Sequence, residues 1–142
     1  MKWSLRTSGE ELSLEQLPEQ LEARGAPESL VLELDGDGTG LLCMEEARTV
    51  TDRWTKLWAG IGRPVAQAMA RAGRGRIVLL TAAPHLHASV RPLALELAPH
   101  TVTVNAVASV GKVTAEEVEH WVQYLCSEEA GFVTAQTVRV GL

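Results

Sequence analysis

The first stretch whose residue types and spacing suggest chemistry is DGDGTGLLCMEE, which runs from Asp35 to Glu46. Asp35, Asp37 and Thr39 alternate and Glu46 stands at the twelfth position, which is the spacing of oxygen ligands in a calcium-binding EF-hand loop. Three features argue against an EF-hand loop: an apolar, strand-like run precedes it, position five is Thr rather than Asp or Asn, and Cys43 falls at a ligand position. We therefore interpret the stretch as a glycine-rich turn and keep the four ligand-type residues only as weak candidates for a metal site.

Two smaller clusters carry weaker signals. His85 and His87 are one residue apart, a spacing that could bind a metal or relay a proton. No further ligand-type side chain stands near them in sequence, so we interpret both as solvent-exposed loop residues. Arg71, Arg74 and Arg76 lie near a predicted helix end and could bind phosphate, but their charge also complements the helix dipole. We interpret the arginines as a solvated cluster.

The composition limits the classes of function. The chain has 142 residues, a formal net charge of -5 and 22% charged residues, so nucleic acid and anionic membranes are unlikely partners. No apolar run reaches the roughly 18 residues that span a bilayer. The N-terminus has no long apolar segment of the kind found in secretory signals. Only two cysteines are present, Cys43 and Cys126, far apart and without metal-ligand spacing. These features predict a cytoplasmic protein with reduced thiols.

The hydrophobic pattern predicts strands that alternate with helices. The expected strands are residues 1–7, Ser29–Asp35, Arg76–Ala82, Thr101–Ala108 and Gly131–Val140. The expected helices are Ser13–Gly25, Met44–Ala72 with a bend near Gly60, Gly62 and Pro64, a short one within Ala88–Ala98, and one that begins at the capping box of Thr114 and Glu117. This order predicts an α/β fold: a mostly parallel sheet of about five strands, helices on both faces and right-handed crossovers.

Residues Trp54–Leu142, about 60% of the chain, resemble the C-terminal half of the short-chain dehydrogenases/reductases, particularly the ketoacyl-carrier-protein reductase type. The stretches that carry the resemblance are MARAGRGRIVLLTA, LALELAPHTVTVNAVA and TAEEVEHWVQYLCSEEAGFVTAQTVRV. The resemblance implies a truncated Rossmann-like three-layer sandwich in one domain, residues 1–142. Residues 43–142 form the dehydrogenase-like half, and residues 1–42 form a divergent strand–helix–strand segment that covers the exposed sheet edge.

The positions that bind the cofactor in this family are not matched. The family has a glycine-rich turn after its first strand, which lets the backbone approach the dinucleotide pyrophosphate. The corresponding segment here, MKWSLRTSGEEL, has only Gly9. The family's Asn-Asn-Ala-Gly turn after its fourth strand is replaced by DGDGTG. The sequence therefore predicts no NAD(P) site and no other cofactor.

The positions of proton transfer are not matched either. Where the resemblance places the catalytic Ser, Tyr and Lys, this chain has Ala82, Leu86 and Val90. Tyr124, the single tyrosine, lies in the predicted last helix. Asn105, the single asparagine, belongs to the sixth-strand motif and not to the long helix that carries the family's active-site Asn. The resemblance therefore gives no catalytic residue, and we lean against an enzyme.

The matched elements are those that pack the sheet and build subunit contacts in the family. We therefore expect a non-catalytic scaffold or interaction subunit that forms a homodimer or pairs with an active short-chain dehydrogenase/reductase. The contact is expected through Met44–Ala72 and Ala88–Ala98, with a second one through Thr114–Leu125 and the last strand. The candidate interface residues are Trp54, Trp58, Ala59, Ala66, Ala70 and Trp121. Two alternatives stay open: an NAD(P)-dependent enzyme completed by a partner chain, and a small-ligand or calcium-binding module.

Overall fold

The computed structural model of the chain describes residues 2–5, 15–34, 44–81, 84–109 and 113–141. The strands are β1 (Lys2–Leu5), β2 (Ser29–Leu34), β3 (Gly75–Thr81), β4 (Val102–Ser109) and β5 (Thr137–Val140). The α-helices are α1 (Leu17–Arg24), α2 (Met44–Leu57), α3 (Arg63–Ala72), α4 (Val90–Leu97) and α5 (Ala115–Cys126). A π-helical segment, Trp58–Gly62, joins α2 to α3, and short 3-10 helices are found at Pro84–Ser89, Ala98–His100 and Glu128–Ala130.

The five strands form one sheet in the order β1-β2-β3-β4-β5. β1 is antiparallel to β2, and the remaining neighbours are parallel. β1 pairs along most of β2, from Lys2 opposite Glu33 to Leu5 opposite Leu30. β1 therefore covers this edge of the sheet. The predicted α/β class, with a mostly parallel sheet of about five strands, is confirmed.

Helices cover both faces of the sheet, because alternate strand residues point to opposite sides. On one face Leu32, Leu79 and Val104 pack against α1, α2, α3 and α4; we call this cluster the first core. On the other face Val31, Val78 and Val107 pack against α5; we call this cluster the second core. Full burial of each such side chain contributes about 1.5–3 kcal/mol. The near-continuous apolar runs of β2, β3 and β4 follow from this burial on two sides.

The three parallel crossovers do not share one hand. β2, β3, β4 and β5 follow one another across the sheet in chain order. The helices of the first two crossovers, α2–α3 and α4, lie on the face of the first core, whereas α5 lies on the opposite face. All three crossovers proceed in the same direction across the sheet. The β4–α5–β5 crossover therefore has the opposite hand to the first two, because its helix lies on the opposite face. The prediction that all crossovers are right-handed is therefore wrong, although the preference for that hand is strong in general.

Asn105, in the middle of β4, holds the segment that leads into β5. Its side chain is fully buried. Its Nδ2 donates to the carbonyl oxygen of Val133 at 2.9 Å, and its Oδ1 accepts from the backbone N–H of Gln136 at 3.0 Å. Backbone bonds from Ala135 to Val104 and from Ala106 to Gln136, both on the same stretch of β4, complete the clamp.

The clamp explains a difference from the predicted last strand. The strand was expected to span Gly131–Val140, but β5 begins only at Thr137. The chain turns before that point, because Ala135 adopts a left-handed backbone conformation with φ of 61°. Such a conformation is uncommon for a residue with a side chain and interrupts an extended strand. The apolar residues in FVTAQTV gave no sign of this turn.

Replacement of Asn105 by Ala is expected to destabilise the fold by about 2–5 kcal/mol. The change leaves the carbonyl of Val133 and the N–H of Gln136 without their partner, and each buried unsatisfied group costs about 1–3 kcal/mol. Urea unfolding followed by circular dichroism measures the loss. Gln136→Ala is the matched control, because it retains the backbone N–H and removes only an exposed side chain and its solvent-exposed bond to the carbonyl of Thr134; its effect should stay within about 0.5 kcal/mol. Equal effects of the two variants would contradict the role of the clamp.

Candidate interaction surface

The carboxyl ends of the parallel strands are the usual place for a ligand in this kind of sheet. β2 ends at Leu34, β3 at Thr81 and β4 at Ser109. The residues that follow each of them, including Asp35, Asp37, Thr39 and Ala82, lie outside the described residues. Glu46 falls in α2, but its side chain is not described. The candidate metal loop therefore stays a prediction, although the element that precedes it is a strand, as expected, and not the entering helix of an EF-hand.

The two positions that correspond to the family's proton-transfer residues lie in the first core. Leu86 and Val90 are each 2% exposed. Leu86 belongs to the 3-10 helix Pro84–Ser89, and Val90 opens α4. Both side chains pack among the apolar residues between this segment and the sheet. These positions contribute hydrophobic packing and have no group that can carry a proton.

The smaller polar clusters of the sequence do not come together as sites. His87 is half-buried in the 3-10 helix Pro84–Ser89, and the side chain of His85 is not described. Among the residues that the structure describes, no group of three His, Cys, Asp or Glu side chains is placed to hold a metal. The expectation that His87 is a solvent-exposed loop residue is wrong, because the 3-10 helix packs Leu86 into the core and draws its neighbour toward the sheet.

The three arginines point to different partners. Arg76 is half-buried, and its Nε donates to the carbonyl of Ser127 at the end of α5. Arg74 lies 3.9 Å from Glu28 in a pair whose side chains are both mostly exposed, a contact of little energetic weight. Arg71 lines a separate groove between α1 and α3. The three arginines therefore do not form one solvated cluster. Arg76 instead binds the carboxyl end of α5 and connects it to β3.

The six candidate interface residues do not form one surface. Trp54 and Ala66 lie in the first core, with exposures of 9% and 3%. The expectation that Ala66 lies on the outer face of its helix is therefore wrong; the helix turns this position inward because α3 packs in contact with both β3 and β4. Trp121 lies on α5, across the sheet from the others, and is 38% exposed.

Three of the six remain on the outer side of the long helix. Ala59 is exposed, and Trp58 and Ala70 are half-buried. Trp58 and Ala70 line a groove of about 290 Å³ between α3 and α4, with Ala66 also contributing to its lining. Arg63 and Glu96 lie at the same groove, so both signs of charge are present. The α3–α4 groove therefore combines Trp58 and two alanines with polar and charged side chains, including Arg63 and Glu96.

The π-helical segment positions Trp58 at this groove. Gly60, Gly62 and Pro64 were expected to bend or split the helix, and the chain indeed changes from α-helical to π-helical geometry at Trp58–Gly62, without a break. The N–H of Arg63 bonds the carbonyl of Trp58, five residues earlier. The Trp58 ring lies directly over Gly62, where a Cβ would overlap it. Its centroid is 5.7 Å from that of Trp54, so the half-buried Trp58 rests on a buried one.

Sequence reasoning missed two larger grooves. One, of about 610 Å³, lies between α1 and α3 and is lined by Leu17, Leu21 and Ala68 among others. The second, of about 580 Å³, lies between α5 and β5 and contains Glu117 and Arg139. The run of glutamates in the last predicted helix was the feature of the sequence that could have indicated the second groove. The first depends on where α1 packs, which its weakly amphipathic sequence does not specify.

No protein-family model and no curated protein sequence matches the chain. Among solved structures, YwfH, an NADPH-dependent reductase involved in bacilysin biosynthesis, is similar with a TM-score of 0.69 and 18% identity; 88% of this chain and 69% of that chain are covered. Acetoin dehydrogenase from Enterobacter cloacae is similar with a TM-score of 0.70 and 23% identity; 91% of this chain and 71% of that chain are covered. At these identities the likeness shows the fold alone, a truncated Rossmann-like α/β sandwich with a mostly parallel sheet.

Replacement of Gly62 by Ala should destabilise the protein by about 1–3 kcal/mol. Alanine favours a helix over glycine by about 1 kcal/mol, but its methyl group would overlap the Trp58 ring and force it to move. Gly60→Ala is the matched control: Gly60 lies two residues away and is exposed, so this change should be neutral or stabilising. Urea unfolding with tryptophan fluorescence detects both effects. If Gly62→Ala were as favourable as Gly60→Ala, the packing of Trp58 on Gly62 would be refuted.

Proposed function

We propose that this chain is a non-catalytic, short-chain dehydrogenase-like interaction protein. It keeps the packed scaffold of the fold and uses its outer helices to form a homodimer or to pair with an active ketoreductase-type partner. The observation that carries the proposal is the burial of Leu86 and Val90 in the first core. General acid–base catalysis requires a titratable side chain within reach of the substrate, and two buried aliphatic residues cannot supply one.

The edge of β2 argues against an enzyme completed by a partner chain. In a dinucleotide-binding sheet the first strand lies beside the fourth, so a partner that supplied the cofactor half would have to pair with the strand matched by β2. β1 already occupies that edge through residues Leu30 to Glu33. Trp3 of β1 also packs against the first core, so its displacement would expose apolar surface. A cofactor half could join the sheet only after β1 had been removed.

The outer helices offer the surface for association. Ala59 and Leu95 are exposed, and Leu95 is 64% exposed on α4. The α3–α4 groove lies between these helices and presents Trp58 and Ala70. Small side chains let a second helix approach closely, and a two-fold contact is the commonest way in which a chain associates with its copy. A stable contact of this kind should bury more than about 1,000 Å² in total.

The unmodified protein is expected to show twice the 15.3 kDa chain mass in light scattering at micromolar concentration. Leu95→Arg and Ala59→Arg should each shift the mass to that of one chain, because a charge in a desolvated contact is unpaired. The variants should stay folded, since both positions are exposed in the single chain. Gln123→Arg, on exposed α5 across the sheet, is the matched control and should remain dimeric.

A monomer for the unmodified protein would exclude self-association. The other version, pairing with an active relative, would then require that a short-chain dehydrogenase/reductase copurify with the protein from its native cell. Absence of any such reductase would exclude that version as well.

NAD(H) and NADP(H) are expected to give no saturable heat in calorimetric titration up to millimolar concentration. The glycine-rich turn that approaches the pyrophosphate in the family is not matched in this sequence. The titration should be repeated after mixing with a catalytically active ketoreductase, whose own binding is subtracted. A micromolar dissociation constant for the chain alone would overturn the non-catalytic proposal and revive the enzyme alternative.

A further inference from the structure

A groove lies between α5 and β5, on the face of the sheet that α5 covers. It measures about 580 Å³, with Glu116, Glu117 and Trp121 on the helix side and Arg139 on the strand side. The groove lies across the sheet from the α3–α4 groove. It is therefore independent of the surface on which the proposed function depends.

β5 forms the open edge of the sheet. It pairs with β4 on one side, and within the described part of the chain no strand pairs with its other side. The outward backbone N–H and C=O groups of such an edge are a template for one more strand. Addition of an extended peptide to an edge strand is a common mode of recognition, in which backbone bonds give affinity and adjacent pockets give side-chain specificity.

The helix beside this edge is acidic and aromatic. The stretch from Thr114 to Ala130 contains five glutamates and no Lys or Arg. Trp121 and Tyr124 are 38% and 37% exposed, and their rings stand at 89° with centroids 6.1 Å apart. An exposed indole face attracts a cation, and neighbouring carboxylates strengthen that attraction. Arg139 opposes a cation here, but Glu116 and Glu117 outnumber it in the groove.

A second copy of the chain fits this surface poorly. A two-fold contact through α5 and β5, the expected second contact, would place Glu116 and Glu117 of both copies in one interface, where their charges repel. Arg139 is the only Lys or Arg among the described residues that line the groove, so it could offset only part of that repulsion. Like charges placed opposite each other destabilise an interface. The charge balance favours a basic partner over self-association at this edge.

We propose that an extended, basic segment of a partner protein adds to β5 as a sixth strand. Alternate side chains of that segment would face the α5–β5 groove, since successive residues of a strand point to opposite faces. A Lys or Arg of the segment lies over Trp121 and close to Glu116 and Glu117. Edge pairing supplies the binding energy, and the acidic helix selects the charge of the partner.

The test uses the full chain and three acetylated, amidated hexapeptides. The first alternates Val and Lys, the second alternates Val and Glu, and the third is the Val-Lys peptide with N-methyl groups along one backbone edge. Calorimetry should give saturable binding of the first peptide, weakened by added salt, and none of the other two. Hydrogen exchange should show new protection of the amides of Thr137 to Val140 with the first peptide only.

Point variants separate the contributions. Trp121→Ala and Glu116→Gln should each weaken binding of the Val-Lys peptide about 2–5-fold. Arg139→Gln should tighten it about 2-fold, because it removes the opposing charge. Glu129→Gln is the control, since this exposed residue does not line the groove, and it should leave the affinity unchanged.

Three results would each overturn the proposal. The first is no saturable binding of the Val-Lys peptide at millimolar concentration. The second is equal binding of the Val-Glu peptide, which would show that charge is not selected. The third is protection of β5 that rises with protein concentration without peptide, which would identify a second copy as the occupant. Leu95 lies on the face of the sheet opposite to the α5–β5 groove. The Leu95→Arg variant, which should be monomeric, can therefore be tested for binding of the Val-Lys peptide, and binding by this monomer would show that the peptide site does not depend on the proposed dimer.

Discussion

The attachment of the last strand depends on Asn105. Its amide is buried in β4 and binds one carbonyl and one N–H of the segment that returns from α5. That return path starts from the face opposite to the other helices, so it must pass the sheet edge before it can pair with β4. The fixed turn at Ala135 makes this passage possible. The bond from the N–H of Val104 to Thr134 Oγ1 and the pairing of β4 with β5 hold the same segment.

The crossover divides the molecule into two surfaces of different chemistry. The face of the first core carries four of the five α-helices, and its outer side presents small and aromatic residues around Trp58 and Ala70. The face of the second core is covered by α5, whose outer side is acidic. The molecule therefore has two separate outer surfaces, because each core requires its own covering helices.

Local sequence patterns predicted most of the elements but few of their outer contacts. The apolar runs located β2, β3 and β4, since strands buried on both faces have few polar residues. The capping box located the start of α5, where Thr114 and Glu117 exchange bonds with each other's backbone. Helical periodicity alone could not place Ala66, because α3 contacts both β3 and β4 and therefore buries a wider face, which includes Val65, Ala66, Ala68 and Met69. The hand of the last crossover and the turn at Ala135 depend on side-chain bonds between distant residues.

The candidate site residues were likewise predictable only where local sequence determines them. The sequence identified Leu86 and Val90 as positions without catalytic groups, and the structure places both in the first core. It did not identify the open edge at β5, because the order of strands in a sheet is a tertiary property. The two edges of the sheet differ: β1 covers the edge at β2, whereas among the described residues β5 remains unpaired on its outer side. Because β1 covers β2, no further strand can pair with β2 on that side. At the opposite edge, β5 lies beside the acidic helix α5 and can still accept another strand.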